Sequence, residues 1–323
     1  MNEQSETTVS RRGFMGGAAA LAASAMMGRY VLAGSGGRSA GKPNSNFNGV
    51  QIGAITYSWR SMPGTAEDIL RYAVQCGISS VELMGDPAEN FAGLPAGGGR
   101  GRMTAEQQRD RRQRQQEQLD WRLSVSMDKY RALRKLYNNA GVNIHIVKFG
   151  SIGNANMSDG EIDYYFNVAK ALGAKGITRE ISEEAAKRLG PIADKHKIMI
   201  GFHNHTQMTS KTYEGPILSH GKYLGINFDV GHYVAGTSES PIPIIEKFHD
   251  RILSLHLKDR KVNNGPNMPF GQGDTPVALI LQLIKKEKWT FPADIELEYR
   301  VPEDSDAVTE VTKCVQFCKE SLA

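Results

Sequence analysis

Between Gly225 and Asp259 the chain carries two short apolar runs, Ile226-Asn227-Phe228 and Ile252-Leu253-Ser254-Leu255, each long enough for a buried strand. Both stop abruptly in ligand chemistry. The first stops at Asp229-Val230-Gly231-His232 and the second at His256-Leu257-Lys258-Asp259. Pro241 to Phe248 lies between them, with the spacing of an amphipathic helix and prolines at its start. Strand, helix, strand with polar residues at both strand ends is a βαβ unit, and its chemistry collects on the carboxyl side of a parallel sheet. This constrains the fold more than any other stretch, because the same unit recurs along the chain.

Six further runs of strand length precede or follow it: Gln51 to Tyr57, Ser80 to Met84, Val142 to Val147, Gly176 to Thr178 (ending at Arg179-Glu180), Ile198 to Phe202, and Ala293 to Tyr299. That makes eight. Helical patterns fill the gaps at Ala66 to Cys76, Ile162 to Leu172, Glu183 to His196, Val277 to Glu287 and Ala307 to Leu322, with Gly77 and Gly173 as stop signals. Eight strands alternating with helices predict a closed (β/α)8 TIM barrel, and about 250 residues suffice for one. An open doubly wound sheet would need a glycine-rich phosphate loop after its first strand, and Tyr57-Ser58-Trp59-Arg60 is not one.

Two stretches fall outside this rhythm. Ser10-Arg11-Arg12-Gly13-Phe14-Met15, followed by the weakly apolar Gly16 to Met27, resembles a bacterial twin-arginine signal. Residues 1–48 therefore read as signal peptide and linker, 49–323 as the barrel, and the destination as periplasmic or secreted. At about 87–120 lies an insertion, glycine-rich around Gly97 and then Arg/Gln-rich, with a long helix expected from Thr104 to Asn138. It reads as a solvated helical extension, with oligomer contact left open. The net charge of +4 forces no nucleic-acid partner, and no apolar run approaches the ~20 residues of a membrane span. Three cysteines cannot all pair, and Cys314 and Cys318 sit four apart on one helix face, so the fold does not depend on disulfides.

The strand ends gather Trp59 and Arg60, Glu82, Lys148, Glu180, His203 and His205, Asp229 and His232, His256 and Lys258, and Glu296 and Glu298. Carboxylates with imidazoles and no cysteine suit a divalent ion such as Mn2+, Mg2+, Co2+ or Zn2+. Such an ion polarises a carbonyl or hydroxyl so that a neighbouring base takes a proton from the adjacent carbon. A Ser-His-Asp hydrolase is disfavoured because no nucleophile elbow appears.

Gly201-Phe202-His203-Asn204-His205, Asn227 to His232, Leu255 to Asp259 and Ile295 to Tyr299 together resemble the sugar phosphate isomerase/epimerase family of xylose isomerase-like barrels, over roughly Gln51 to Leu322. The resemblance implies one divalent metal on Asp229, His256 and Glu296, with Glu298 as a substitute for Glu296. The epimerase branch has a Glu on the fifth strand where this chain has His203, so Glu180 is expected to supply the missing carboxylate. The catalytic set is then Glu180, His203 and Glu296, with His203 or His205 as the general base. His232 and Lys258 are expected to hold substrate oxygens, and Tyr57 and Trp59 to wall a sugar ring. The Phe270 to Asp274 turn resembles the family's glycine turn and reads as a structural loop. The implied function is isomerisation or epimerisation of a sugar or polyol by proton abstraction next to a carbonyl. The alternative is a keto-glycoside or inosose lyase or dehydratase acting by β-elimination, and a non-catalytic sugar-binding protein stands behind both.

Overall fold

A computed structural model describes residues 41–96 and 104–323. The twin-arginine motif, and the glycine-rich part of the insertion from 97 to 103, lie outside the described residues. Eight parallel strands form the barrel: β1 (Val50–Ile55), β2 (Ser80–Met84), β3 (Asn143–Lys148), β4 (Gly176–Glu180), β5 (Met199–His203), β6 (Leu224–Asp229), β7 (Ile252–Leu257) and β8 (Ala293–Ile295). Each pairs with the next. β8 closes the ring onto β1 with Ala293 opposite Ile52, and β1 pairs onward with β2, Ile55 opposite Glu82. The runs are apolar because both faces of a parallel sheet are covered, by helices outside and by barrel filling inside.

The helices start where a short polar side chain can take an orphan N–H. Thr65 caps α1 (Ala66–Gln75), Ser158 caps α5 (Asp159–Leu172), Ser182 caps α6 (Glu183–His196) and Asp306 caps α10 (Ala307–Ser321). Gly173, at φ 77°, stops α5 in the left-handed conformation that a side chain resists. No helix among the described residues is long and apolar enough to cross a membrane. Cys76, Cys314 and Cys318 are buried free thiols.

Three departures from the sequence reading have local causes. The single helix expected from Thr104 to Asn138 is two, α3 (Ala105–Ser124) and α4 (Asp128–Asn139). Val125 is extended, and Ser126 Oγ accepts the Asp128 N–H to start the second helix afresh. The break lets α4 bury Tyr130, Leu133 and Tyr137, while Arg122 pins the end of α3 to Glu89 at 2.8 Å. The second departure is β8, which stops at Ile295 rather than Tyr299. Beyond it the backbone is held by side chains after β1: Ser58 Oγ donates to the Ile295 carbonyl and accepts the Leu297 N–H, and Arg60 donates to the Leu297 carbonyl at 2.7 Å. Third, α7 (Val230–Thr237) follows β6 without a loop, because Asp229 Oδ1 accepts the His232 N–H at 2.7 Å and so caps it.

Candidate active site

The carboxyl ends of β5 to β8 place one ligating atom each from His203, Asp229, His256 and Glu296 within 4.8 Å of one another, all four residues buried. His203 Nδ1 lies 2.7 Å from Asn227 Oδ1, while the Asn227 amide nitrogen faces Glu82 Oε2 at 3.2 Å and Ser254 Oγ at 2.6 Å. An ionised carboxylate only accepts, so the Asn227 amide donates to Glu82 and its oxygen accepts from His203 Nδ1–H. His203 Nε2 is left with its lone pair. Burial, reinforced by the Lys148 and His256 charges, holds His203 well below the ordinary imidazole range, so it is neutral.

His256 is bracketed by two carboxylates, its Nε2 2.9 Å from Glu82 Oε2 and its Nδ1 2.9 Å from Glu296 Oε2. Burial disfavours its cation, but the two negative charges overcome this and push its pKa up to about 10. Glu82 is fully buried. Burial raises its carboxyl, yet the charge and hydrogen bond of His256, with Lys148 and Thr178, bring it below the usual value. Glu296 is likewise held well below the carboxylate range, burial being outweighed by Lys258 and His256. Lys258 Nζ sits 2.8 Å from Asp229 Oδ2, 3.0 Å from Glu296 Oε2 and 2.8 Å from Glu298 Oε2. Those three charges more than offset its burial and raise its pKa.

The chemistry of this donor set fits a divalent cation. Asp229 Oδ2 is buried with no hydrogen-bond partner beyond that close ion pair. His203 is neutral with a free Nε2. Glu82 holds His256 through Nε2, so Nδ1 is the nitrogen that faces the other donors and would ligate on giving up its proton, the carboxylate–histidine arrangement that orients a metal ligand.

Glu180, expected as the fourth ligand, is not in the set; His203 is. Glu180 and His203 are register partners across β4 and β5. The Glu180 carboxylate is nevertheless drawn to the rim, where Oε2 meets His205 Nε2 at 2.7 Å and Oε1 lies 3.1 Å from Lys148 Nζ. Burial would raise it, but His205 and Lys148 pull it down to about 2. His205 shares the inward face of the chain with His203, two residues earlier, their rings 5.0 Å apart at a right angle. Its pKa is raised, chiefly by the Glu180 hydrogen bond. His232 lies between two cations, Lys258 Nζ 2.9 Å from Nε2 and Arg260 Nη1 2.8 Å from Nδ1. Burial lowers its pKa, so it stays neutral and its unprotonated nitrogen accepts a hydrogen bond from one of them.

Of the two aromatics expected to wall a sugar ring, Tyr57 is 39% exposed, with the Arg60 guanidinium 4.5 Å over its ring. Trp59 is 1% exposed and packs on Tyr72, so it belongs to the core and offers no face to a ligand. Side chains of the 3₁₀ turn Thr56–Trp59 fan out about a third of a turn apart, so that Thr56, Ser58 and Trp59 are buried and Tyr57 alone faces out, which strand-end position does not reveal. The glycine turn closes around Asp259, whose carboxylate accepts the N–H groups of Gly271, Gly273 and Thr275 at 2.8, 2.9 and 3.1 Å. A Cβ on Gly273 would lie 1.9 Å from Asp259 Oδ1, so the loop needs glycine there. Reading strand ends singled out Glu82 without giving it a role, and Asn227, Thr178 and Arg260 were missed. Glu82 is the inward neighbour of Ser80 in the period-2 pattern of β2, and that was the available signal.

Comparison with known proteins supports the same architecture. The inosose dehydratase of Clostridium beijerinckii is 26% identical over 146 residues, 44% of this chain and 41% of that protein, so the match spans about two fifths of the relative's length. A sugar phosphate isomerase/epimerase structure from Parabacteroides distasonis superposes with TM-score 0.53 at 18% identity, covering 83% of this chain and 93% of that one. The IolI protein, solved with a bound zinc atom, superposes with TM-score 0.56 at 13% identity over 84% and 98% of the two chains. At such identities the structures speak for the fold alone. Residues 70–317 match the family described as xylose isomerase-like TIM barrel, and the chain belongs to that family.

Proposed function

We propose that this chain is a divalent-metal-dependent enzyme that removes a proton from the carbon next to a carbonyl of a sugar or polyol, giving isomerisation or epimerisation. The observation that carries this reading is the convergence of His203, Asp229, His256 and Glu296 beside an accessible acid–base pair, Glu180 and His205. Those four residues would hold a divalent cation (Mn2+, Mg2+, Co2+ or Zn2+), which would supply polarisation of a substrate oxygen and so acidity at the neighbouring carbon. The zinc atom bound by the IolI protein, which has the same fold, supports a divalent cation in the proposal.

The chain's own groups then handle the proton. His205 is the general base: its Nε2 is tied to Glu180, which leaves Nδ1 to accept the carbon-bound proton. Glu180, held ionised by Lys148, stabilises the imidazolium that results. His203 is engaged with Asn227 and held neutral, which suits a ligand better than a proton carrier. Glu296 joins the cation side to Lys258, and Lys258 with His232 and Tyr57 lies where sugar hydroxyls would be held. Glu298, one of three carboxylates on Lys258, keeps that ammonium charged.

β-Elimination is the second reading, and one observation favours it. His203 stands where the epimerase pattern has a carboxylate, so Glu180–His205 is the evident acid–base pair at the rim. A lyase needs one base and a leaving group, whereas two-base epimerisation needs groups on both faces of the substrate carbon. The partial match to an inosose dehydratase supports the same direction. Solvent deuterium wash-in on keto-sugars and inososes tests both readings. The expected result is exchange at a single carbon, abolished by chelator, with loss of water or alcohol marking the lyase. A metal-replete protein that exchanges no carbon-bound hydrogen in any of these substrates would end the proposal. Export is part of the same proposal, carried by Arg11-Arg12 and the segment after it, and amino-terminal sequencing of periplasmic protein tests it.

A further inference from the structure

The opposite end of the barrel holds a second chemical array. Ser80 Oγ lies 2.8 Å from His145 Nδ1, and His145 Nε2 lies 2.9 Å from Asp294 Oδ2. The three side chains come from β2, β3 and β8, 65 and 149 residues apart in the pairs that touch. Two features of the sheet make room for them. The register between β2 and β3 slips at this point: Val81 faces Ile144 and Glu82 faces Ile146, so His145 is an extra residue turned by a bulge against Ser80. Bulges re-aim side chains in this way and are enriched beside active sites. On β1, a Cβ at Gly53 would lie 1.9 Å from Asp294 Oδ1, so the Asp294 carboxylate fits because that position is glycine.

The array is also reachable. Ser80 and His145 line a cavity of about 240 Å3, together with Gln51, Asn143, Lys175 and Thr290. These residues stand at or before the starts of strands, so the cavity opens at the amino-terminal mouth, away from His256 and Glu296. Lys175 forms no ion pair among the described residues and gives the cavity a positive charge.

We propose that this mouth is a second, nucleophilic site for short-chain carboxylic esters. Ser80 is the nucleophile, His145 the general base and Asp294 the positioning residue. Asp294 accepts the Nε2–H and so keeps the Nδ1 lone pair on Ser80. Ser80 Oγ bonds to the ester carbonyl carbon and its proton passes to His145 Nδ1. The carbon–oxygen bond to the alcohol breaks, and the departing alkoxide takes that proton. Water then attacks the acyl-Ser80 carbonyl, giving a proton to His145 that returns to Ser80 as the carboxylic acid leaves. Lys175 offsets the negative charge on the carbonyl oxygen during both attacks. The arrangement escapes the nucleophile-elbow signature because Ser80 opens a strand instead of sitting on a strand-to-helix turn.

The alternative is a buried polar clip that ties three strands together. Ser80 would then be unreactive, as it would be with the proton on Nδ1 and Asp294 donating to Nε2. The full-length protein is incubated with a fluorophosphonate, and the modified peptide is located by mass spectrometry. A single stoichiometric adduct on Ser80, unaffected by chelator, is expected, with p-nitrophenyl acetate hydrolysis falling at least tenfold in Ser80→Ala and in His145→Gln. The labelling is done on the unsubstituted chain, so it decides the matter even if both variants fail to fold. Absence of an adduct on Ser80 in folded protein, or hydrolysis that persists in soluble Ser80→Ala, overturns the proposal. Loss of deuterium exchange at the other mouth leaves this result untouched, because chelator separates the two sites.

Discussion

Lys258→Met removes one positive charge from the centre of the carboxyl-terminal mouth and changes side-chain volume little. In the native arrangement Lys258 is 1% exposed and its ammonium lies within 3.0 Å of oxygens from Asp229, Glu296 and Glu298. Removing one member of a buried charge cluster leaves the others unpaired, a loss of about 3–5 kcal/mol, because they have already lost their water. For a domain of this size that is roughly 6–20 °C in melting temperature. Lys258 is the chief charge that holds the Glu296 carboxyl below its ordinary range, so in the variant burial is less opposed and the Glu296 pKa rises. The sign follows: wild-type Glu296, with its depressed pKa, contributes stability above the ordinary carboxylate range, so the loss is full there and shrinks as the pH falls through that range.

The assay is urea or thermal denaturation in chelator and again in excess divalent cation. In the wild type the ammonium sits on the carboxylates of Asp229 and Glu296 that would hold the proposed cation, so the lysine would oppose metal binding. The variant is therefore expected to bind the cation at least about tenfold more tightly, since roughly 1.4 kcal/mol suffices and two like charges a few ångströms apart exceed it. Much of its stability should return once the cation is bound. A stability loss in chelator below about 1 kcal/mol, or a metal affinity equal to or weaker than that of the wild type, would refute the reasoning.

Glu82→Gln keeps the shape at His256 Nε2 but removes the charge behind it, and calorimetric titration should show metal affinity 10–100-fold weaker. The Glu180 carboxyl is held at about 2, so it contributes stability above the ordinary carboxylate pKa that disappears as the pH falls from about 4.5 towards 2. Glu180→Gln should flatten the acid limb of the stability curve in that window, read by circular dichroism. Trp59→Ala should cost about 3–5 kcal/mol of stability, because a buried ring leaves a cavity. Tyr57→Ala should leave the melting temperature nearly unchanged and raise the Michaelis constant.

The strands were legible because each is a short apolar run that ends in a polar residue, and helices such as Glu183–His196 and Val277–Glu287 because their apolar period is regular. The break at Val125–Met127 was hidden because Gln107 to Gln118 has no apolar period from which a change of direction could be read. α7 was hidden for another reason: Asp229 reads as a ligand at a strand end and is also a helix cap, and one carboxylate can serve both through different oxygens. Rim orientation lies beyond strand-end reasoning. Whether Glu180 turns inward or towards Lys148 depends on partners from β3 and the loop after β5. Glu82 is the sharpest case, because its three contacts are to residues 96, 145 and 174 positions away. Only closure of the ring brings them to it.

That closure also explains why polar chemistry stands at both ends of one barrel. Inward-facing residues of a strand are two apart and occupy successive layers of the interior. β2 therefore delivers Ser80 to the lower layer and Glu82 to the upper, and β8 delivers Asp294 and Glu296 in the same way. The bulge that turns His145 towards Ser80 falls between Val81 and Glu82, so it also sets the height at which Glu82 meets His256. The extra residue is His145 itself, and the pairs beyond it, Glu82 with Ile146 and Met84 with Lys148, already stand in register. Deleting His145 should therefore take the imidazole away from Ser80 and Asp294 while Lys148 stays beside Glu180. Ester hydrolysis should then be lost and deuterium exchange at the other mouth should persist, because the bulge residue serves one mouth and the register after it serves the other.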